Sequence, residues 1–176
     1  QLRVAYDPRS VMPEKMAKRN TAFLWSHEVM WDLDIQKQTT QWNTWRNRHH
    51  YAAAIKSVGA PMDFISETDD FSKYPFLVAP AFQLVDAALV KKWETYVTNG
   101  GHLILSCRSG QKDKNGHFFE APPAAPIRPL IGADIDFFDM LPAENTGSVS
   151  YQGKTYQWNA WAEILSPHPG TQVLAT

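Results

Sequence analysis

Cysteine is almost missing from this sequence. Cys107 is the only cysteine among 176 residues. One cysteine cannot close an internal disulfide or supply a cysteine-based zinc cluster, so neither device holds the chain together. Stability must come from an ordinary hydrophobic core. A chain of this length with 44% hydrophobic residues is large enough to build one.

Long apolar runs and an excess of charge are missing as well. The longest apolar stretch, residues 76–82, is far shorter than the roughly 20 residues that span a membrane. No basic segment followed by an apolar one opens the sequence, so we expect no signal peptide. The formal net charge is -1, which creates no overall field for polyanions. We therefore expect neither nucleic acid nor a membrane as a partner.

The motifs that hold phosphates, cofactors and metals are not found either. No G-x-G-x-x-G lies between a strand and a helix, and no P-loop is present. The residues after the first predicted strand contain no glycine for a flavin phosphate loop. His49 and His50 are neighbours on a predicted helix, so their side chains point about 100° apart and do not chelate one ion easily. We expect no cofactor and no metal.

The sequence is rich in tryptophan. Seven residues are spread over three regions: Trp25, Trp31, Trp42, Trp45, Trp93, Trp158 and Trp161. Tryptophan is enriched at protein interfaces and at sugar-contacting surfaces, whereas packing inside the chain is the simpler alternative for any one of them.

Short apolar segments alternate with helical patterns through the first two thirds of the chain. The predicted strands are residues 21–26, 62–66, 76–81 and 102–107. The predicted helices are residues 42–59, with an apolar face that includes Trp42 and Trp45, and a second helix that begins after Asp86. This alternation predicts an α/β fold, a three-layer sandwich around a mainly parallel sheet.

The remaining segments have weaker patterns. Residues 27–41 show no clear period and are predicted to loop over the end of the sheet. Residues 108–126 are rich in turn-forming residues and are predicted to be an irregular loop. Later strands are predicted at residues 135–140, 155–158 and 171–175.

Cys107 lies at the end of a predicted central strand, where thiol hydrolases and amidotransferases hold their nucleophile. A Gly-x-Cys-x-Gly turn is typical of that elbow, whereas this turn reads Ser106, Cys107, Arg108, Ser109, Gly110. His168 is a conceivable base, yet Gly170 occupies the place of the carboxylate that would orient the imidazole. A thiol enzyme that uses Cys107 and His168 therefore stays open beside an inert buried thiol.

Six ordered blocks of the sequence resemble one known family. They are "TAFLWSHEVMWDLD", "YAAAIKSVGAPMDFI", "DDFSKYPFLVAPAFQLVD", "YVTNGGHLILSCRSGQKDKNG", "PIRPLIGADIDFFDMLP" and "WNAWAEIL". Together they resemble the trimerisation domain of the family 42 β-galactosidases over residues 21–175. The most specific pieces are "SKYPFLVAPAFQLVD" and "GGHLILSCRSGQKDKNG".

The resemblance implies a flavodoxin-like fold of the class I glutamine amidotransferase type, without amidotransferase activity. It implies a parent enzyme that hydrolyses terminal β-D-galactosides with retention, whose catalytic carboxylates lie in an upstream TIM barrel and not in this chain. Residues 1–19 would be the connector from that barrel, and residues 20–176 the trimerisation domain. The partners would be the domain's own copies in a homotrimer and the barrel, with galactoside bound only through the parent enzyme.

The resemblance also indicates which residues meet a neighbouring subunit. Residues 26–41 and the loop after Cys107 lie at the ligand end of the sheet and become candidate intersubunit surface. The interface candidates are Trp31, Trp42, Trp45, Arg108 and Lys112, and the tryptophans are expected to be exposed. A sugar-binding accessory module that uses surface tryptophan remains an alternative.

Overall fold

The computed structural model describes residues 18–120 and 122–176. The connector predicted at residues 1–19 lies outside the described residues except for its last two. The first part of the chain contains strands β1 (Thr21–Leu24), β2 (Met62–Ile65), β3 (Phe76–Ala79) and β4 (His102–Leu105), and helices α1 (His27–Ile35), α2 (Thr44–Ser57) and α3 (Ala87–Thr98). The second part contains the short helix α4 (Arg128–Ile131) and strands β5 (Ala133–Asp139), β6 (Gly147–Tyr151), β7 (Lys154–Trp158) and β8 (Ala162–Pro167).

Strands β1 to β4 form one parallel sheet in the order β2-β1-β3-β4. The β1–β2 and β3–β4 connections run in opposite directions across this sheet. Because such crossovers are right-handed, α2 and α3 lie on opposite faces. The predicted α/β sandwich around a mainly parallel sheet is therefore confirmed.

The main hydrophobic cluster lies on one face of the sheet, where side chains from β1, β3 and β4 pack against α1 and α3 and Trp93 is fully buried. Two further side chains are buried on the other face, Phe23 and Val78. The predicted cap of α3 is present, since the Asp86 carboxylate accepts the Leu89 N–H at 2.7 Å. Gly100, with a φ of 92°, ends the turn after this helix in the left-handed conformation that glycine adopts easily.

The loop predicted at residues 27–41 is wrong over its first half, because α1 forms there. Ser26 caps the helix by accepting the Val29 N–H at 3.3 Å. Val29 and Leu33 are buried, while Trp31 lies on the opposite, exposed face. Large apolar residues on both faces hide the helical period in the sequence.

Helix α2 differs from the prediction in its start and in its buried face. It begins at Thr44, with Asn43 as the cap, two residues later than predicted. Its buried residues are Thr44 and Arg48, whereas Trp45 is exposed. The predicted apolar face of this helix is therefore wrong: part of the apolar stripe points to solvent.

The second part of the chain is antiparallel. Strand β5 pairs with β8, and β6 pairs with β7 as a hairpin. The strands predicted at residues 135–140 and 155–158 are confirmed, while residues 171–175 contribute only an isolated bridge between Ala175 and Tyr151. Among the described residues, no helix is both long and apolar enough to cross a membrane.

Candidate functional site

The turn after β4 holds Cys107 in a form unsuited to nucleophilic attack. Burial, with a smaller contribution from the nearby Glu163 carboxylate, raises the pKa of the Cys107 thiol to about 12. At neutral pH the sulfur therefore keeps its proton, although the thiolate is the reactive form. Two residues of this turn are left-handed, Arg108 with a φ of 65° and Gly110 with a φ of 66°.

His168 is held in another part of the molecule. Its Nε2 lies 3.2 Å from Oδ1 of Asp134 on β5, and Arg128 also contacts this carboxylate, at 3.0 Å. The orienting carboxylate that the sequence lacks at position 170 is thus supplied by Asp134. None of the hydrogen bonds found within residues 18–120 and 122–176 joins His168 to Cys107. The structure gives no support to the thiol enzyme.

The Arg108 guanidinium fills the space beneath the turn. It is fully buried between two indole rings, with Cζ 4.5 Å from the centre of Trp42 and 4.8 Å from that of Trp161. It donates to the carbonyls of Gln36 at 3.0 Å and Lys37 at 3.1 Å, just beyond the end of α1. Burial lowers the pKa of Arg108 to about 10, so the group stays charged at neutral pH. Arg108 therefore ties the turn to α1 by hydrogen bonds and cation–π contacts.

A partly buried carboxylate joins the same turn to β8. Glu163 accepts the Arg108 backbone N–H at 2.7 Å and a Gln111 side-chain N–H at 2.8 Å. Burial raises the pKa of Glu163, while its hydrogen bond from Arg108 opposes that shift. This carboxylate was not singled out in the sequence, because 52 positions separate it from Gln111.

Lys112 is also fully buried. Its ammonium contacts both carboxylate oxygens of Asp32, at 2.8 and 3.0 Å, and Oε1 of Gln36 at 2.7 Å. It also lies 4.8 Å from the centre of the Phe118 ring. The ion pair and the hydrogen bonds attach the loop after β4 to α1, much as Arg108 does.

These contacts correct part of the expected surface. Trp42 is only 6% exposed, so the expectation that it is exposed is wrong. It packs on Arg108 and donates to the Thr44 hydroxyl at 3.1 Å. Since Arg108 and Lys112 are buried inside the chain as well, Trp31 and Trp45 are the interface candidates that reach the surface.

Five rings form a continuous exposed cluster, which we call the aromatic surface: Trp25, His27, Trp31, Trp45 and Phe64. The Trp25 ring lies at its centre, 5.6 Å from both Trp45 and Phe64 between ring centres. Trp31 and Trp45 are each 62% exposed and Phe64 is 57% exposed. This surface lies where β1 and β2 end, at the carboxyl edge of the sheet where such folds bind partners and ligands.

A buried cation supports the aromatic surface from below. The Arg48 guanidinium lies 5.2 Å from the Trp25 ring centre and donates to the Leu24 carbonyl at 3.2 Å. Burial lowers the pKa of Arg48 to about 10. Trp25 and Phe64 were missed in the sequence, because nothing local shows that β2 is an edge strand whose Phe64 stays uncovered.

Other chemistry is limited in the described part of the chain. A shallow cavity of about 510 Å³ opens beside Trp25 and Phe64, and Glu28, Ser66 and Thr68 add polar groups to its wall. Within residues 18–120 and 122–176, no three His, Cys, Asp or Glu side chains gather in a way that could hold a metal ion.

Fold and site together define a class of protein, a parallel α/β domain without a nucleophile in the turn after β4. A buried arginine fills the space beneath that turn, and aromatic rings are exposed beside the sheet. A family profile described as the β-galactosidase trimerisation domain matches residues 19–176. The chain belongs to this family.

Curated relatives and solved structures agree with this assignment. β-Galactosidase BgaH of Haloferax lucentense is 30% identical over 151 residues, which are 86% of this chain and 23% of that protein. BgaB of a Geobacillus strain is 29% identical over 166 residues, covering 90% of this chain and 24% of that protein. The solved β-galactosidase of Halorubrum lacusprofundi has a TM-score of 0.81 at 25% identity over 86% of this chain and 22% of its own. The chain thus spans about a quarter of the length of these relatives.

Proposed function

We propose that this domain holds three copies of a β-galactosidase together around a three-fold axis, with the aromatic surface as an intersubunit contact. The exposed aromatic surface on a domain of the trimerisation family is the observation that carries this proposal. The parent protein would hydrolyse terminal β-D-galactosides with retention.

The physical properties of the aromatic surface suit a protein interface. Exposed apolar patches of neighbouring rings are uncommon on monomers and mark contact sites. Tryptophan is the side chain that contributes most often to binding hot spots, because it buries a large area at low entropy cost. Arg48 beneath Trp25 fixes the central ring, so that little ordering is needed when a partner binds.

Catalysis is proposed to lie elsewhere in the parent polypeptide. The protonated Cys107 and the separate His168–Asp134 pair do not form a nucleophile with its base. We further propose that residues 1–19 connect an upstream barrel domain to the trimerisation domain at residues 20–176.

Two measurements test this function. Sedimentation of the parent protein should give the mass of a trimer, and the parent should hydrolyse nitrophenyl β-galactoside while the 176-residue chain does not. A monomeric parent at micromolar concentration would contradict the trimer. Hydrolysis by the chain alone would contradict the assignment of catalysis to another domain.

A sugar-binding accessory module is a second candidate, favoured by the cavity beside Trp25 and Phe64. Aromatic faces next to the hydroxyl and carboxylate groups of Ser66, Thr68 and Glu28 suit a neutral sugar ring. Galactose at millimolar concentration should then change the tryptophan fluorescence of the chain. If galactose does not change the fluorescence and the aromatic surface still mediates assembly, the aromatic surface is an interface and not a sugar site.

A further inference from the structure

Strand β4 is an open edge of the parallel sheet. The strand order β2-β1-β3-β4 places β2 and β4 at the two margins, and among the described residues β4 pairs only with β3. An edge strand presents unpaired N–H and C=O groups that can accept a further strand.

The register shows which groups face outward. The His102 N–H donates to the Pro75 carbonyl of the neighbouring segment at 2.8 Å. Because alternate residues of a parallel strand direct their main-chain groups to opposite sides, His102 and Ile104 point toward β3. Leu103 and Leu105 therefore direct their N–H and C=O groups away from the sheet.

An apolar groove follows this open edge. A cavity of about 580 Å³ runs along β4 between α3 and α4, lined among others by Val97, Leu103, Leu105, Leu130 and Ile131. On the other side of the strand, Ile104 is 44% exposed. The groove thus offers hydrogen-bonding groups and apolar walls together, as sites of β-strand addition do.

The opposite edge of the sheet is protected in a way that β4 is not. Strand β2 carries Asp63, which forms an ion pair with Arg19 and accepts the Tyr74 hydroxyl at 2.9 Å. A charged side chain on an edge strand discourages the addition of another strand. The β4 sequence "HLIL" contains no Asp, Glu, Lys or Arg.

We propose that the β4 edge accepts a fifth strand with apolar side chains, supplied by the part of the parent polypeptide outside these 176 residues. The relatives carry additional chain of this kind, since their length is about four times the matched segment. A second copy of β4 does not suit the groove in a three-fold assembly, because an edge pairs with itself only across a two-fold axis. This last step rests on the proposed trimer.

Residue-resolved hydrogen exchange tests the proposal. In the isolated chain, the amides of Leu103 and Leu105 should exchange rapidly, while the amide of His102, bonded to the Pro75 carbonyl, is protected. In the parent protein, the Leu103 and Leu105 amides should slow by at least about 100-fold. Equally rapid exchange in the parent overturns the proposal.

The isolated chain also distinguishes a second copy from the rest of the parent. If Leu103 and Leu105 become protected in the isolated chain as its concentration rises, another copy occupies the edge and the proposal is wrong. Light scattering on the same samples reports the assembly. A monomeric parent with protected Leu103 and Leu105 refutes the trimer but supports the fifth strand.

A matched pair of variants gives a second readout. Ile104→Lys should leave the melting temperature of the isolated chain within about 2 °C, because the side chain is partly exposed there, and lower that of the parent by at least about 5 °C. Val58→Lys, at a position 78% exposed, is the control and should change neither. The same small effect of Ile104→Lys in both proteins contradicts a covering strand.

Discussion

The side chain of Arg108 fills the space beneath the turn after β4. Its guanidinium lies between Trp42 and Trp161 and donates hydrogen bonds to two carbonyls just beyond the end of α1. Its backbone N–H donates to the Glu163 carboxylate. Cys107, next to it, is partly buried and its pKa is raised. A single arginine therefore converts a turn suited to a nucleophile into a packing element.

The unreactive state of Cys107 can be measured directly. Because burial raises its pKa to about 12, iodoacetamide should label the folded chain at pH 8 at least about 100-fold more slowly than the chain in urea. Mass spectrometry of timed samples gives both rates. Labelling of the folded chain that titrates well below the ordinary cysteine value would revive the thiol enzyme.

Glu163 predicts how stability depends on pH. A raised pKa means that the folded chain binds this proton more tightly than the unfolded chain. The free energy of unfolding should therefore fall as pH rises from about 4.5, the ordinary value, through the raised pKa. Glu163→Gln keeps an acceptor for Arg108 and Gln111 but carries no titrating proton, so its stability relative to the wild type should increase over this range.

Urea denaturation between pH 4.5 and 8 checks this behaviour. Glu94→Gln, at a partly exposed carboxylate on α3, is the control for the loss of one negative charge. If the curves of Glu163→Gln and the wild type are parallel over this pH range, Glu163 does not have the raised pKa.

At the scale of elements, helix α1 is the centre of the loop contacts. Lys112 reaches Asp32 and Gln36 on one side of it, and Arg108 binds the carbonyls beyond its end. Without these contacts, the loop after β4 would lose its charged attachments to the helix. The geometry of α1 also determines where Trp31 stands.

The Asp32–Lys112 pair predicts strong coupling. Lys112→Met leaves a carboxylate that is 14% exposed without its cation and should cost about 3–5 kcal/mol. Adding Asp32→Leu should recover a large part of this loss, because the pair is then removed together. Urea denaturation of the two single variants and the double variant gives the coupling energy.

An exposed pair provides the comparison. The same cycle on Lys91 and Glu94 of α3, whose side chains are 76% and 42% exposed, should give a coupling of about 0–1 kcal/mol. Additive effects at Asp32 and Lys112 would mean that the buried pair does not hold the loop.

The sequence predicted the elements whose signals are local. The four parallel strands follow from short apolar runs, and α3 follows from the Asp86 cap and the glycines after it. Helix α1 could not be predicted from periodicity, because Val29 and Leu33 face the core while Trp31 faces solvent. The local sequence pattern shows how many apolar residues a helix has, but not which of them face the core and which face solvent.

The site was less predictable because its contacts are distant in the chain. Lys112 lies in a polar, turn-rich segment that reads as exposed, and its partner Asp32 is 80 positions away. Trp42 and Trp45 look alike in the sequence, yet one meets Arg108 inside the fold and the other stays at the surface. Only the tertiary arrangement separates these cases.

At the scale of the whole molecule, two regions of the domain expose apolar side chains to solvent. The aromatic surface lies at the carboxyl end of β1 and β2, and the apolar groove follows the far edge of the sheet at β4. We propose that the first region contacts neighbouring copies and that the second accepts a strand from the rest of the parent polypeptide.

The mass of the parent protein carrying Trp31→Ala and Trp45→Ala tests the central claim most directly. Two truncated hot-spot tryptophans in each interface should each cost about 2 kcal/mol or more of binding free energy. Light scattering at micromolar concentration should then show dissociation toward monomers, while the control Val58→Ala, at the other end of α2, stays a trimer. A double variant that remains a trimer at every dilution at which the wild type does would contradict the aromatic surface as the intersubunit contact.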